Sequence, residues 1–433
     1  MSKKNNTRNQ LAILGGHPTR TSSFPPWPQF DKTEKENLLQ VLQSKKWERH
    51  EGCMVSKFEQ RFAKLCRVEK SLMVTNGSTA LEIALTVAGI GAGDEVLVPP
   101  YTFMSTVMSV LLVNALPVFI DIHPDTYCID PQMIENQITP NTKAILPVHL
   151  AGMPCDMEKI MDIASRHNLV VIEDACQAHL AEWEGQKVGS IGKLGCFSFQ
   201  VSKNISAGEG GAIISNDSAL IDRCFYYHTC GRLRAGTWYF HSHPGTNRRM
   251  TEFQAAILLA QIKRVQDQMA LRANNAVHLS EKLSQIPGIS PLLVSNFVTL
   301  HAYHLYIFRY NANAFDGLPR DAFVKVLQAE GIPCSTGYVP LYKEKFIKKT
   351  IEIRKFQNIF GSSRINQYCK YLSEIRCPVT EKACGEEGVW IPQSVLLGTK
   401  EDMDSIFEAI QKIQRYAEKL NKTYENLNNK IFL

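Results

Sequence analysis

Residues 196–211 read CFSFQVSKNISAGEGG: a short aromatic run, then Lys203, then a turn rich in glycine. A nucleotide-binding P-loop places its lysine after the glycines, at the start of a helix. Here the order is reversed and strand-like AIIS follows, so the phosphate-loop reading fails. The glycines instead allow a tight turn beside a crowded site. The stretch reads as a strand, a lysine-bearing turn and a second strand.

Working outward, short β-branched runs alternate with helical segments from residue 71 to about 216. Glu95–Val98, Leu116–Asp121, Ala144–Val148, Leu169–Glu173, Cys196–Phe199 and Ala212–Ser215 read as strands, with Leu81–Val87 and Met157–Arg166 as helices between them. This alternation predicts an α/β domain with a large, mainly parallel sheet covered on both faces, whose ligand sits at the carboxyl ends of the strands. A helical pattern then runs from Thr251 to about Ile286, with Phe253, Ile257, Leu258 and Ile262 on one face. Beyond it, strand-like HAYHLYIFRY, a helix near Asp321–Ala329 and an amphipathic helix near Lys400–Leu420 predict a smaller α+β C-terminal domain. The expected organisation is an N-terminal arm over 1–30, a large domain over 31–285 and a small domain over 286–433.

Composition narrows the function classes. The 48 basic and 42 acidic residues give a net charge of +6 and are dispersed, so nucleic-acid binding is not expected. Twelve cysteines without a CxxC spacing read as reduced thiols of a cytoplasmic protein. His241 and His243, and His301 and His304, are close in sequence, but no nearby cysteine or carboxylate completes a metal ligand set. Residues 96–120 carry no charge, yet Pro99, Pro100, Pro117 and Asn114 interrupt them, which favours strand, buried helix and strand over a membrane span. The opening MSKKNNTRNQLAILGG has an apolar run of only four residues, too short for a signal peptide.

Three more elements carry chemistry. Asp174 ends the apolar strand of LVVIEDACQAH, where a carboxylate serves a site or caps the next helix. In TNGSTALEIAL, Gly77, Ser78 and Thr79 open an apolar helix, a geometry that suits a phosphate or a plain cap. In PPYTFMS, Tyr101 and Phe103 follow a strand, where aromatics serve a site or the core. Together with Lys203 they match the needs of pyridoxal 5′-phosphate: an amine for a Schiff base, a carboxylate for the pyridinium nitrogen, an anion site and an aromatic face.

GSTALEIAL, VPPYTF, VIEDACQAH, FSFQVSKNISAGEGG and GTNRRMTEFQAAILLAQ resemble the DegT/DnrJ/EryC1/StrS family over about residues 11–415. The resemblance implies the type I (aspartate aminotransferase-like) fold, pyridoxal 5′-phosphate as cofactor and amino transfer through a Lys203 internal aldimine. It gives Asp174 as the ring-nitrogen partner and Gln177 as a neighbour of the cofactor hydroxyl. Gly77, Ser78, Thr79 and Ser198 fall at the phosphate, Phe103 on the ring, and Asn247 in the neighbouring subunit's site of a homodimer. Family members that remove a sugar hydroxyl carry histidine in place of the lysine, so Lys203 favours transamination over dehydration. Arg248 replaces the tyrosine of the family's GxNYRM, and Leu180 follows His179 where glycine is common. The segments LAILGGHPTRTSSFPPWPQFD, GIPCSTGYVPLY and ACGEEGVWIPQSVLLG look like the branch of scyllo-inosose aminotransferases and aminohydroxybenzoate synthases. That implies glutamate or glutamine as donor and a keto-sugar or keto-cyclitol as acceptor. Candidate substrate contacts are Tyr101, His179, His228, Arg232, Tyr338 and Tyr342, each of which also suits loop or interface packing.

Overall fold

Successive side chains of a strand point to opposite faces, and in the main sheet both faces are buried. The computed structural model describes residues 10–234 and 239–431, so the first nine residues of the expected arm and the last two of the expected small domain lie outside the described residues. Seven strands form the large sheet: β1 (Lys70–Val74), β2 (Glu95–Val98), β3 (Leu116–Phe119), β4 (Thr142–Ile145), β5 (Val170–Asp174), β6 (Leu194–Ser198) and β7 (Gly211–Ser215). Their order is β1-β7-β6-β5-β4-β2-β3. Only β7 runs against its neighbours; the pairs from β6 through β3 are parallel. Met73, Leu97, Ile145, Val171 and Phe197 enter one core, and Leu72, Val96, Ala144, Ile172 and Cys196 the other. The α/β class and parallel sheet expected from sequence are present, with strand ends shifted by a few residues.

Two helices place the site. α1 (Gly77–Val87) follows β1 and is capped by Asn76, whose side chain accepts from the Thr79 amide. α2 (Ser105–Leu112) lies between β2 and β3. The turn after Lys203 closes tightly: Gly208 has φ +81, and a Cβ on Gly211 would meet the Asn76 carbonyl carbon at 2.4 Å. The lysine turn therefore touches the start of α1 only because glycine stands there.

The long helix expected from Thr251 to Ile286 is two helices, α3 (Glu252–Gln261) and α4 (Val265–Leu283). No breaker residue lies between them. Instead Arg264 pairs with Asp31 and Glu34, and Gln261 donates to Gln29, so contacts with the N-terminal segment hold the turn. The C-terminal helix likewise divides into Lys400–Arg415 and Ala417–Ile431.

A second sheet joins β8 (Ile289–Pro291), β9 (Leu305–Tyr310) and β10 (Gly388–Pro392), with β9 in the middle. It shares a third core with α4, Arg320–Ala329 and Lys400–Arg415. Residues 341–377 pack elsewhere: Tyr342, Phe356 and Tyr368 join Leu116 and Phe119 in the core of the large sheet. There the Tyr371 hydroxyl accepts from the Phe119 amide at 2.7 Å, covering the edge strand β3.

The N-terminal segment is tied to the second core through Glu330, which is fully buried. Its carboxylate accepts from the amides of Ala12 and Thr19 at 2.8 Å, the Thr19 hydroxyl at 2.7 Å and the Lys412 ammonium at 2.9 Å. Burial alone would raise this carboxyl, but Lys412 and the amides outweigh it and hold it below the ordinary range. The anchorage is therefore complete above that range and is lost as pH falls through the lowered value. Glu330→Leu strands the Lys412 ammonium and should cost about 3–5 kcal/mol. Thermal unfolding, together with native-state proteolysis within residues 10–28, checks this; an unchanged melting temperature would contradict it.

Candidate active site

The carboxyl ends of the parallel strands open into a cavity of about 820 Å³. β5 delivers Asp174 to it, β6 delivers Ser198, and the turn beyond β6 delivers Lys203. Asp174 is buried; Thr106 donates to its Oδ2 at 2.8 Å and the Cys176 amide to its Oδ1 at 3.2 Å. The Lys203 ammonium is pushed down by burial, against the opposing pull of Cys176 and Asp174. Its Nζ lies 3.5 Å from His304 Nε2, and His304 Nδ1 lies 3.3 Å from Asn204 Oδ1. His304 is itself held well below the ordinary imidazole range by burial, so it presents a neutral ring to the amine.

The N-terminus of α1 forms the opposite wall. Gly77 and Ser78 line the cavity, and their amides have no partner among the described residues. The Ser78 hydroxyl donates to Ser105 at 2.7 Å. A Cβ on Gly77 would meet Ser198 Cβ at 2.8 Å and Cys176 Sγ at 2.9 Å, so the helix end approaches the strand ends closely. Free amides, the helix dipole and the Ser198 hydroxyl together make an anion cradle.

The sequence candidates fall into three groups. Gly77, Ser78, Phe103, Asp174, Gln177, Ser198, Lys203 and Tyr338 all line the cavity. Gln177 accepts from the Ala151 amide and donates to the Tyr338 hydroxyl at 3.1 Å, while Phe103 stands exposed at the mouth. Others lie just behind the wall. Thr79 turns its hydroxyl to Thr75 at 3.2 Å, and fully buried Tyr101 accepts from Trp390 Nε1 at 2.9 Å. His179 is buried beside Phe197 and Phe199, with both ring nitrogens unpartnered and its pKa pulled down to about 3 by burial and the Lys203 charge. The remainder do not line this chain's cavity. Tyr342 is bonded to Glu381, and His228 is buried at the end of helix Ser218–His228. Arg232 bridges His241, and Asn247 is exposed on the segment that bridges Thr229.

Sequence reasoning missed Thr106, His304, Trp27 and Trp390. Thr106 follows the TF of PPYTFMST, where nothing marks it as the partner of Asp174. His304 was weighed only as a metal ligand, and its contact with Lys203 spans 101 residues.

The donor set fits pyridoxal phosphate: amine, buried carboxylate and anion cradle converge on one cavity. Comparison with known proteins agrees. A model of the DegT/DnrJ/EryC1/StrS aminotransferase family matches residues 28–411. The chain is 34% identical over 421 residues to the L-glutamine:2-deoxy-scyllo-inosose aminotransferase of Streptoalloteichus tenebrarius, covering 94% of this chain and 98% of the relative. It is 33% identical over 396 residues to the 3-amino-5-hydroxybenzoate synthase of Amycolatopsis mediterranei, covering 90% and 97%. A crystal structure of 3-amino-5-hydroxybenzoic acid synthase superposes with a TM-score of 0.81 at 33% identity, covering 91% of this chain and 99% of that one.

Thr106→Val keeps the shape of the side chain but removes the O–H that steadies Asp174. A hydrogen bond to a charged group contributes about 1.5–3 kcal/mol, so pyridoxal phosphate affinity should fall about 10- to 100-fold. Titrating the apoprotein by absorbance measures this; unchanged affinity would contradict the role of that contact.

Proposed function

The chain belongs to the DegT/DnrJ/EryC1/StrS aminotransferase family, and on that premise we propose that it moves an amino group from glutamine or glutamate to the ketone of a keto-cyclitol or keto-sugar in aminocyclitol or amino-sugar biosynthesis. The enzyme is a pyridoxal phosphate-dependent aminotransferase. The relative that acts with L-glutamine on 2-deoxy-scyllo-inosose supports the donor and the cyclitol acceptor. The single observation carrying the reading is the convergence of Lys203, Asp174 and the α1 N-terminus on one cavity.

When bound, pyridoxal phosphate supplies the electron sink that makes the donor's α-proton removable. The protein's own groups do the rest. Lys203 would hold the cofactor through its amine and, once the donor's amine has displaced it, would take and return the proton at the substrate carbon, burial drawing it toward the neutral form. Asp174, steadied by Thr106 and the Cys176 amide, would face the ring nitrogen with its carboxyl group. Gly77, Ser78 and Ser198 would hold the phosphate, with Gln177 at the ring hydroxyl and Phe103 over the ring face. Thr79 contributes through the cap of α1 rather than by lining the cavity.

The active unit is a homodimer in which Asn247 reaches the partner's site. Its exposed position supports this, as does the apolar stripe of Phe103, Met104, Met108 and Leu112, each between 38% and 57% exposed beside the cavity mouth. His228, Arg232 and Tyr342 would then act through packing or the interface, and Tyr338 and Tyr101 through the cavity wall. Twelve unpaired cysteines favour the cytoplasm. No helix among the described residues is long and apolar enough to cross a membrane.

Adding L-glutamine or L-glutamate to the holoenzyme should convert the cofactor to its amine form, and 2-deoxy-scyllo-inosose or another ketone of a cyclitol and keto-sugar panel should restore it. Lys203→Ala should abolish both steps and the visible absorbance of the lysine-bound cofactor. Survival of that band in the variant would overturn the assignment.

A further inference from the structure

One buried cation near the cavity has no role in the chemistry above. Arg272, on α4, is fully buried, and among the described residues no carboxylate pairs with it. Its Nε and Nη2 donate to Gln393 Oε1 at 2.9 and 2.5 Å, while Nη1 has no hydrogen-bond partner among the described residues. Burial pulls its pKa down to about 9, the mark of a charge that lacks a counterion. A cation is seldom retained in such a place unless an anion comes to it.

A guanidinium only donates, so the oxygen of Gln393 must face it and the NH₂ must face away. Gln393 lines the cavity, and its Nε2 has no partner among the described residues. The antiparallel register pairs Leu305 with Pro392; carried one residue further, it sets His304 opposite Gln393. His304 is the residue 3.5 Å from the Lys203 amine. The two Gln393 N–H donors thus stand one cross-strand step from the reacting centre, with a positive charge behind them. Among the described residues lining the cavity, Lys203 is the only lysine or arginine, so no other lining cation competes for an anionic substrate group. The Arg272 guanidinium carbon also lies over the ring of Trp27, another cavity-lining residue, 5.4 Å from its centroid.

We propose that Gln393 binds the α-carboxylate of the amino donor and that Arg272 is the positioning residue that orients and polarises it. The inference rests on the aminotransferase reading with an α-amino-acid donor. That carboxylate is one bond from the carbon bearing the transferred amine, so its receptor has to lie beside Lys203. The hydroxyls of a cyclitol are neutral and gain far less from the buried cation.

Gln393→Glu tests this, since it keeps the shape and the contact with Arg272 but replaces the two donors with an oxygen. The holoenzyme is mixed with L-glutamine, or with the amino alcohol in which CH₂OH replaces the α-carboxylate, and conversion of the cofactor to its amine form is followed. The variant should lose about 10- to 100-fold in kcat/KM for L-glutamine and little for the amino alcohol, so the preference between them collapses. Arg272→Met should erode the same preference, less steeply. Equal losses for both donors, or a preserved preference for L-glutamine, would overturn the proposal. A wild-type enzyme that reacts with neither L-glutamine nor L-glutamate would instead sink the donor reading itself, and this inference with it.

Discussion

Two adjacent carboxylates at the end of β5 face opposite ways, and the site depends on the difference between them. Glu173 turns into the core and accepts from the amides of Gly189, Ile191 and Gly192 and from His149 Nε2. The His149 ring is fixed in turn, because its Nδ1 accepts from the Cys155 amide. Asp174, one residue on, points to the cavity and is held by two donors among the described residues. A carboxylate bonded on every side is inert and sets the backbone; one with spare acceptor capacity is available to a ligand. The alternation of a strand makes both from neighbouring residues.

The walls of the cavity come from chain segments far apart in sequence. α1 brings the anion cradle, β5 the carboxylate and the β6–β7 turn the lysine. The second sheet contributes His304 and Gln393, and the N-terminal segment contributes Trp27, whose indole donates to the carbonyl of Val201 two residues before the lysine. The N-terminal segment therefore ties the core of the second sheet, through Glu330, to the lysine turn.

Much of this was legible in the sequence where local pattern dominates. Glu95–Val98 and Met157–Arg166 lie where periodicity placed them, because their apolar positions leave one way to bury. Lys203, Asp174 and Gly77 were legible because strand ends and helix starts mark themselves with polar residues after apolar runs. What was not legible depends on long-range contact. The break between α3 and α4 is held by Asp31 and Glu34, more than 200 residues away. Residues 341–377 return to the large sheet although they follow strands of the small one. His304 and Thr106 are ordinary residues until folding sets them against Lys203 and Asp174. Thr79 falls behind the cavity wall, which shows only once its hydroxyl is seen turned toward Thr75.

Lys203 is the proposed covalent anchor of the cofactor. Reducing the holoenzyme with borohydride and mapping its peptides by mass spectrometry tests that most directly. One phosphopyridoxyl group per chain is expected, on the peptide containing Lys203. Modification of another lysine, or of none, would contradict it.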